Sequence, residues 1–273
     1  GLAVAREMAV KRISSAEQLA TESLLPVIGE VARFPVRPVA SRRLLLPDRQ
    51  QREMFIFAES IDSLRTNLML QEHVGAEGQQ KIIAIASAVS GEGKTSVATS
   101  LAVSIAAATK KPTLIVDADL RSPDVAEVLG VPTEPGLAEV LLGQATLSEA
   151  VHRVGETNAY VLPAGKTNVN PHHVLAGAKV ERLLDGLRAK FPTILVDTPP
   201  VFGASESLVY AKTADLVVIC SLTDVSRAKQ VRSAVDRMAS TGANVVGAVL
   251  SGMPVRRYAY SYGYSNSMPS GDE

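Results

Sequence analysis

Eight consecutive residues, Ala88, Val89, Ser90, Gly91, Glu92, Gly93, Lys94 and Thr95, set small residues, a lysine and a hydroxyl in an order that suits polyphosphate chemistry. Small residues let backbone N–H groups curl around phosphate oxygens, and a helix opening just after them adds partial positive charge at the same place. Lys94 can reach the β- and γ-phosphates of a nucleotide, and the Thr95 hydroxyl can ligate Mg²⁺. The stretch matches the Walker A pattern except that Ala88 stands at the first glycine. Three carboxylates extend the set: Asp117 and Asp119 in LIVDADLR, and Asp197 in ILVDTPP. Converging beside a phosphate loop, they would suit Mg²⁺, a hard cation that takes oxygen ligands. Taken singly, Asp117 or Asp119 could also be just a helix cap at a strand end, the lesser reading.

The elements around these residues say how they would be positioned. KIIAIAS reads as a strand, TSVATSLAVSIAAAT as a helix, and PTLIVDAD, AYVLPAG, PTILVDTPP, ADLVVICSL and NVVGAVLS as further strands. Between them PDVAEVL, GLAEVLLG, VERLLDGLRAKF, SESLVYAKTA and SRAKQVRSAVDRMAST read as helical. Strands that are apolar throughout and alternate with helices predict a mostly parallel sheet covered on both faces, of the P-loop NTPase kind. Ligands of such sheets bind beyond the carboxyl ends of the strands, where all three aspartates fall.

Residues 81–253 therefore form the expected catalytic domain, and other segments flank it. SSAEQLATES predicts a short helix capped by Ser14 or Ser15, and LLPVIGEVARF an extended segment. RFPVRPVASRRLLLPDRQ has three prolines and five arginines and reads as a linker, so that 1–50 forms an extension. Within 51–80, Phe57, Ile61, Leu64 and Leu68 give a helix one apolar face. Residues 254–273 read as a flexible polar tail that holds Tyr258, Tyr260, Tyr262 and Tyr264, four of the six tyrosines in the chain.

Composition narrows the partners. An apolar fraction of 46% supports a sizeable core, and a formal net charge of zero gives no general reason to expect nucleic acid. Cys220 is the sole cysteine, which rules out an internal disulfide, and it reads as a buried, inert thiol. No apolar run approaches the roughly 20 residues of a membrane-spanning helix. The histidines 152, 172 and 173 have no metal-like partners in sequence.

ASAVSGEGKT, LIVDADLR and ILVDTPP together resemble the Walker A, Walker A′ and Walker B motifs of the bacterial tyrosine kinases, the cytoplasmic kinases of capsule and exopolysaccharide assembly. The resemblance runs over roughly residues 14–264 and takes in GLAEVLLG, LPAGKTNVNPHHVL and the tyrosine-rich end. It implies an ATP- and Mg²⁺-dependent autokinase. Ser90, Gly91, Glu92, Gly93, Lys94, Thr95 and Ser96 would hold the nucleotide. Asp117 would be the general base, acting with Lys94 and Asp119, and Thr95, Asp117, Asp119 and Asp197 would organise Mg²⁺. The four tail tyrosines would be the acceptors, mostly between subunits of a ring or a transient homo-oligomer. Further implied partners are a transmembrane chain-length regulator, in the same or another chain, and a protein-tyrosine phosphatase. Residues 1–273 would then be the C-terminal, cytoplasmic part of a membrane protein, lying at the inner face of the cytoplasmic membrane.

The sequence departs from that family in three places, one being that four tail tyrosines make a modest cluster. The helix before the domain usually carries a glutamate and two arginines at three-residue spacing, linked to ring assembly; Glu59 and Arg65 fit, but Asp62 takes the middle place. Ser251 stands where an asparagine near the adenine is common. Arg121 could fix a carboxylate, touch phosphate or be a plain surface residue. Two other readings stay open at this level. One is an ATPase switch of the partition or division-site type, against which stands Val89 at that group's signature lysine. The other is a nucleotide-binding scaffold. The Tyr-x-Tyr alternation could also mark an edge strand or a base-stacking platform.

Overall fold

In the computed structural model, residues 11–35, 48–70, 81–170, 174 and 177–264 are described. Most of the expected linker, and residues 172 and 173 with it, lie outside them. Eight strands form one sheet: β1 (Val27–Ala32), β2 (Lys81–Ser87), β3 (Thr113–Asp117), β4 (His152–Arg153), β5 (Ala159–Leu162), β6 (Thr193–Asp197), β7 (Leu216–Leu222) and β8 (Val245–Met253). Their order is β1-β8-β7-β2-β6-β3-β5-β4, and every neighbouring pair is parallel except β4 with β5.

The helices fall on both faces. They are α1 (Ala16–Ser23), α2 (Asp48–Leu70), α3 (Lys94–Thr109), α4 (Val125–Leu129), α5 (Leu137–Leu141), α6 (Leu147–Ala150), α7 (Gly177–Arg188), α8 (Glu206–Thr213), α9 (Ala228–Ala239) and α10 (Val255–Ser261). Strand alternation sorts the core into two layers. From β2, Ile82, Ala84 and Ala86 face one layer with α7, α8 and α9, while Ile83 and Ile85 face the other with α2 and α3. The apolar face expected of α2 is real: Phe57, Ile61, Leu64 and Leu68 are all buried. Ser15 is the N-cap of α1 and accepts from the Gln18 amide.

Two flanking segments differ from expectation. The extended segment before the linker is β1, an edge strand of the main sheet paired with β8, so the boundary drawn at residue 81 cuts through one packed unit. The C-terminal stretch is not a loose tail over its described length. Residues 255–261 form α10, whose Tyr258 and Ala259 are buried against Ala32, Ile56 and Met253. No helix among the described residues is long and apolar enough to cross a membrane.

Candidate nucleotide site

β2 and α3 meet at the glycine-rich loop, and the loop's shape follows from its residue types. Gly91 and Gly93 take φ of 81° and 82°, in the left-handed region that only glycine enters without strain. Gly93 also has no room for a side chain, because a Cβ there would stand 2.8 Å from the Ser251 hydroxyl. Gly93 is the N-cap residue of α3, so the unpaired N–H groups of the first helical turn lie beside the loop. Ser90, Gly91 and Ser96 are exposed at this mouth, where a ligand would meet them.

Lys94 and Thr95 point from the first turn of α3 toward the strand ends. The Lys94 ammonium lies 3.4 Å from Asp197 Oδ1 and 3.5 Å from Asp119 Oδ2. Burial works against its charge, but the carboxylates of Asp197 and Asp119 more than offset this and raise its pKa. Thr95 Oγ1 donates to Asp197 Oδ2 at 2.7 Å. Asp117 and Asp197 end adjacent strands in register, so hydrogen-bonded pairing of β3 with β6 sets them side by side. The backbone N–H groups of Asp119 and Val125 donate to the two Asp117 oxygens, each at 3.2 Å. Burial, then the nearby Asp197 charge, pushes the Asp117 carboxyl up to about 7. Asp197 is also raised, by burial first, with Lys94 and Thr95 opposing.

The carboxylates do not form a cage. Among the described residues no three acidic or other metal-binding side chains are grouped to hold an ion between them. The site fits Mg²⁺ in the other way that this cation is bound, by one or two protein oxygens completed by phosphates and water. Thr95 Oγ1 and the Asp197 carboxylate, already in contact, supply such oxygens. Beyond the Lys94 ion pair, buried Asp197 Oδ1 has no hydrogen-bond partner among the described residues, which leaves it coordinating capacity.

Three residues near the loop take roles that their contacts define. The Glu92 side chain turns into the protein, where its carboxylate accepts from the Val89 amide and the Ser226 hydroxyl, so only its backbone can serve a phosphate. Burial raises its pKa. Ser251 is likewise a loop support: its hydroxyl lies 3.0 Å from the Glu92 carbonyl and 3.1 Å from that of Ser221. Arg121 fixes a carboxylate, pairing with buried Glu206 at 3.0 Å. Glu206 stands beside Tyr210, which is fully buried and whose hydroxyl has no hydrogen-bond partner among the described residues. Cys220 is buried as expected.

Beside the loop lies a cleft of about 330 Å³ lined in part by Phe34, Phe57, Gly93, Ser96, Thr223 and Ser251. Phe34 and Phe57 meet edge to face at 4.9 Å. Phe34, Thr223 and Ser226 were missed by sequence reading because each is brought to the loop from a distant part of the chain. An aromatic ending the extended VIGEVARF run was the one visible hint.

The four clustered tyrosines are not equivalent. Tyr260 is 83% exposed, whereas Tyr258 is 1% exposed. That corrects the expectation that all four stand free: Tyr258 is an anchor of α10, stacked on Tyr262 at 4.4 Å and on Tyr264 at 6.5 Å. The Tyr262 hydroxyl donates to Glu30 at 2.7 Å, and that of Tyr264 to Glu59 at 3.1 Å. The edge-strand reading of the alternation also falls, since Tyr258 and Tyr260 lie in α10 and Tyr262 caps its C-terminal end. The three-residue series in α2 is fully engaged inside the chain. Glu59 accepts from Tyr264, while Asp62 and Arg65 pair with each other at 3.2 Å and both bond Ser104 of α3.

Known proteins share both fold and sequence with this chain. Residues 80–238 match the family model of an AAA domain. The tyrosine-protein kinase YwqD of Bacillus subtilis is 30% identical over 207 residues, which is 76% of this chain and 85% of that one. The tyrosine-protein kinase etk of Escherichia coli is 31% identical over 206 residues, 76% of this chain but only 28% of that longer protein. Among solved structures, the kinase domain of Escherichia coli tyrosine kinase ETK superposes with a TM-score of 0.77, at 24% identity, over 96% of this chain and 98% of that one.

Proposed function

This chain belongs to the AAA-domain P-loop proteins and, within them, to the bacterial tyrosine-protein kinases, and from that premise we propose how its residues divide the work of moving a phosphoryl group from ATP to tyrosine. The observation that supports the division best is the meeting of Lys94, Thr95 and Asp197 at the start of α3, with Asp117 and Asp119 at the neighbouring strand end.

In this reading the loop N–H groups and Lys94 bind the triphosphate, and the cleft lined by Phe34 and Thr223 takes the base. Thr95 and Asp197 would hold Mg²⁺ together with phosphate oxygens, and the ion would supply neutralisation of charge on the transferring group. Asp117 accepts the phenolic proton. A tyrosine hydroxyl has an ordinary pKa of about 10, so it needs an acceptor as it attacks, and a carboxylate raised to about 7 is a better base than an ordinary one. Arg121, tied to Glu206, steadies the Asp119 loop, whose own carboxylate accepts from the Arg121 and Ser122 amides.

The acceptors in this reading include the chain's own Tyr260, Tyr262 and Tyr264, presented to a second copy, and Tyr258 once α10 has come away. The wider setting is a homo-oligomer that works with a transmembrane chain-length regulator at the inner face of the cytoplasmic membrane, in exopolysaccharide or capsule production, and is reset by a phosphatase. The chain spans about a quarter to a third of some relatives, which is consistent with a kinase portion of a longer protein. Incubation with labelled ATP and Mg²⁺ followed by phosphotyrosine mapping tests the core of it. Label on the C-terminal tyrosines is expected; ATP hydrolysis with no phosphotyrosine would overturn the assignment.

A further inference from the structure

α10 and the turn that follows it present their tyrosines in three different environments, and their chemistry orders them. Tyr258 is sealed between α2 and β1, with its hydroxyl on the Ser63 side of α2. Tyr262 and Tyr264 flank its ring, and each spends its hydroxyl on a carboxylate, Glu30 of β1 and Glu59 of α2. Phe55 packs edge-on against Tyr264 at 6.4 Å, and Arg257 ties the outer face of α10 to the Ser14 carbonyl at 2.9 Å. Tyr260, on the opposite side of the helix, points to solvent.

A phenol that donates to a carboxylate is a contact that phosphorylation must break. The phosphorylated oxygen has no proton to give, and the group attached to it carries about −1.5 to −2 charges at neutral pH. Placed within hydrogen-bond distance of Glu30 or Glu59, that charge would meet a like charge. Phosphate on Tyr260 would meet only solvent.

We propose that α10 is a latch on the α2–β1 face, that Tyr260 is the acceptor available while the latch is closed, and that phosphate on Tyr262 and Tyr264 keeps it open. The inference rests on the kinase reading for the source of the phosphate. In each transfer the phenolic oxygen forms a bond to the γ-phosphorus of ATP, the bond from that phosphorus to the β–γ bridging oxygen breaks, ADP leaves, and the phenolic proton passes to a carboxylate base. Opening the latch frees the Glu59 carboxylate and the apolar face around Ile56. Tyr258 joins the set of acceptors only after opening, and so is modified last.

The latch can be tested without the kinase step. Protein is prepared unmodified, with phosphate installed on Tyr260 alone, or with phosphate installed on both Tyr262 and Tyr264, and backbone amide exchange is followed across residues 255–264. Protection is expected in the first two forms and a loss of about tenfold or more in the third. Glu30→Gln combined with Glu59→Gln, which removes both opposing charges, should restore much of that protection. Equal protection in all three forms, or none in the unmodified protein, overturns the proposal. Because no ATP is used, these outcomes are independent of whether the chain labels itself. In the self-labelling reaction, Tyr258 modified as early as Tyr260 would also overturn it.

Discussion

The phosphate loop and the tyrosine helix lie at the two ends of one proposed reaction, and they are built on opposite terms. The loop is held from beneath by buried and part-buried polar bonds: Glu92 to Ser226 and Val89, and Ser251 to the Glu92 carbonyl. Breaking any of them would leave a buried partner unpaired, which costs about 1–3 kcal/mol. The helix α10 is seven residues long and is held by one buried ring and by phenol–carboxylate bonds near the surface. Surface contacts of that kind typically contribute about 1 kcal/mol or less each. The binding side is made to stay in place, and the side that would be modified is made to come away.

That contrast can be broken in graded ways. Lys94→Ala should give the largest effect, a fall on the order of 10³-fold or more in phosphotyrosine formed from labelled ATP, since charge neutralisation carries most of such a reaction. Amide exchange in α10 should be unchanged in the same variant, because Lys94 touches nothing in the helix.

Asp117→Asn should lower transfer by about 10²–10⁴-fold and should also leave a mark on stability. A carboxyl raised in the folded state binds its proton more tightly there than in the unfolded chain. The stability it contributes is therefore fully present below its ordinary value of 3.8 and is lost as pH rises through about 7. Urea unfolding in Mg²⁺-free buffer should show the parent protein losing stability relative to Asp117→Asn across that window. A flat difference would mean that Asp117 is an ordinary carboxylate.

Glu92→Ala should cost about 1–3 kcal/mol in global stability, from the unpaired Val89 amide and Ser226 hydroxyl. Tyr258→Ala removes a larger side chain yet should lower the global free energy of unfolding less, by about 1 kcal/mol or under, because α10 can detach before the sheet unfolds. It should instead raise exchange in α10 and bring Tyr262 forward among the labelled sites. A Tyr258→Ala loss as large as that of Glu92→Ala would erase the distinction between the two regions.

What could be read from the sequence divides along a similar line. The loop, the strand-end aspartates and the parallel sheet are written in local patterns: small residues before GKT, apolar runs ending in Asp, and helices between them. The inward turn of Glu92 was not legible, since its partner Ser226 lies far along the chain. Nor was the Arg121–Glu206 pair. β1 was seen as extended but not as part of the sheet, because parallel pairing leaves no turn signal in the sequence. The C-terminal helix is present in the sequence pattern as well. Val255, Tyr258, Ala259 and Tyr262 stand at i, i+3, i+4 and i+7, the spacing of one helical face, but the two-residue alternation of tyrosines hid it.

The in-register pairing of Asp117 with Asp197 makes the sheet a ruler for the reaction. Adjacent strands lie about 4.8 Å apart, and one residue along a strand moves about 3.3 Å. The gap between the proposed proton acceptor and the Mg²⁺-holding carboxylate can thus change only in those steps, and a one-residue step also turns the side chain to the other face. Descendants of this chain can tune its chemistry by exchanging side chains at the two positions, but not by sliding the positions themselves.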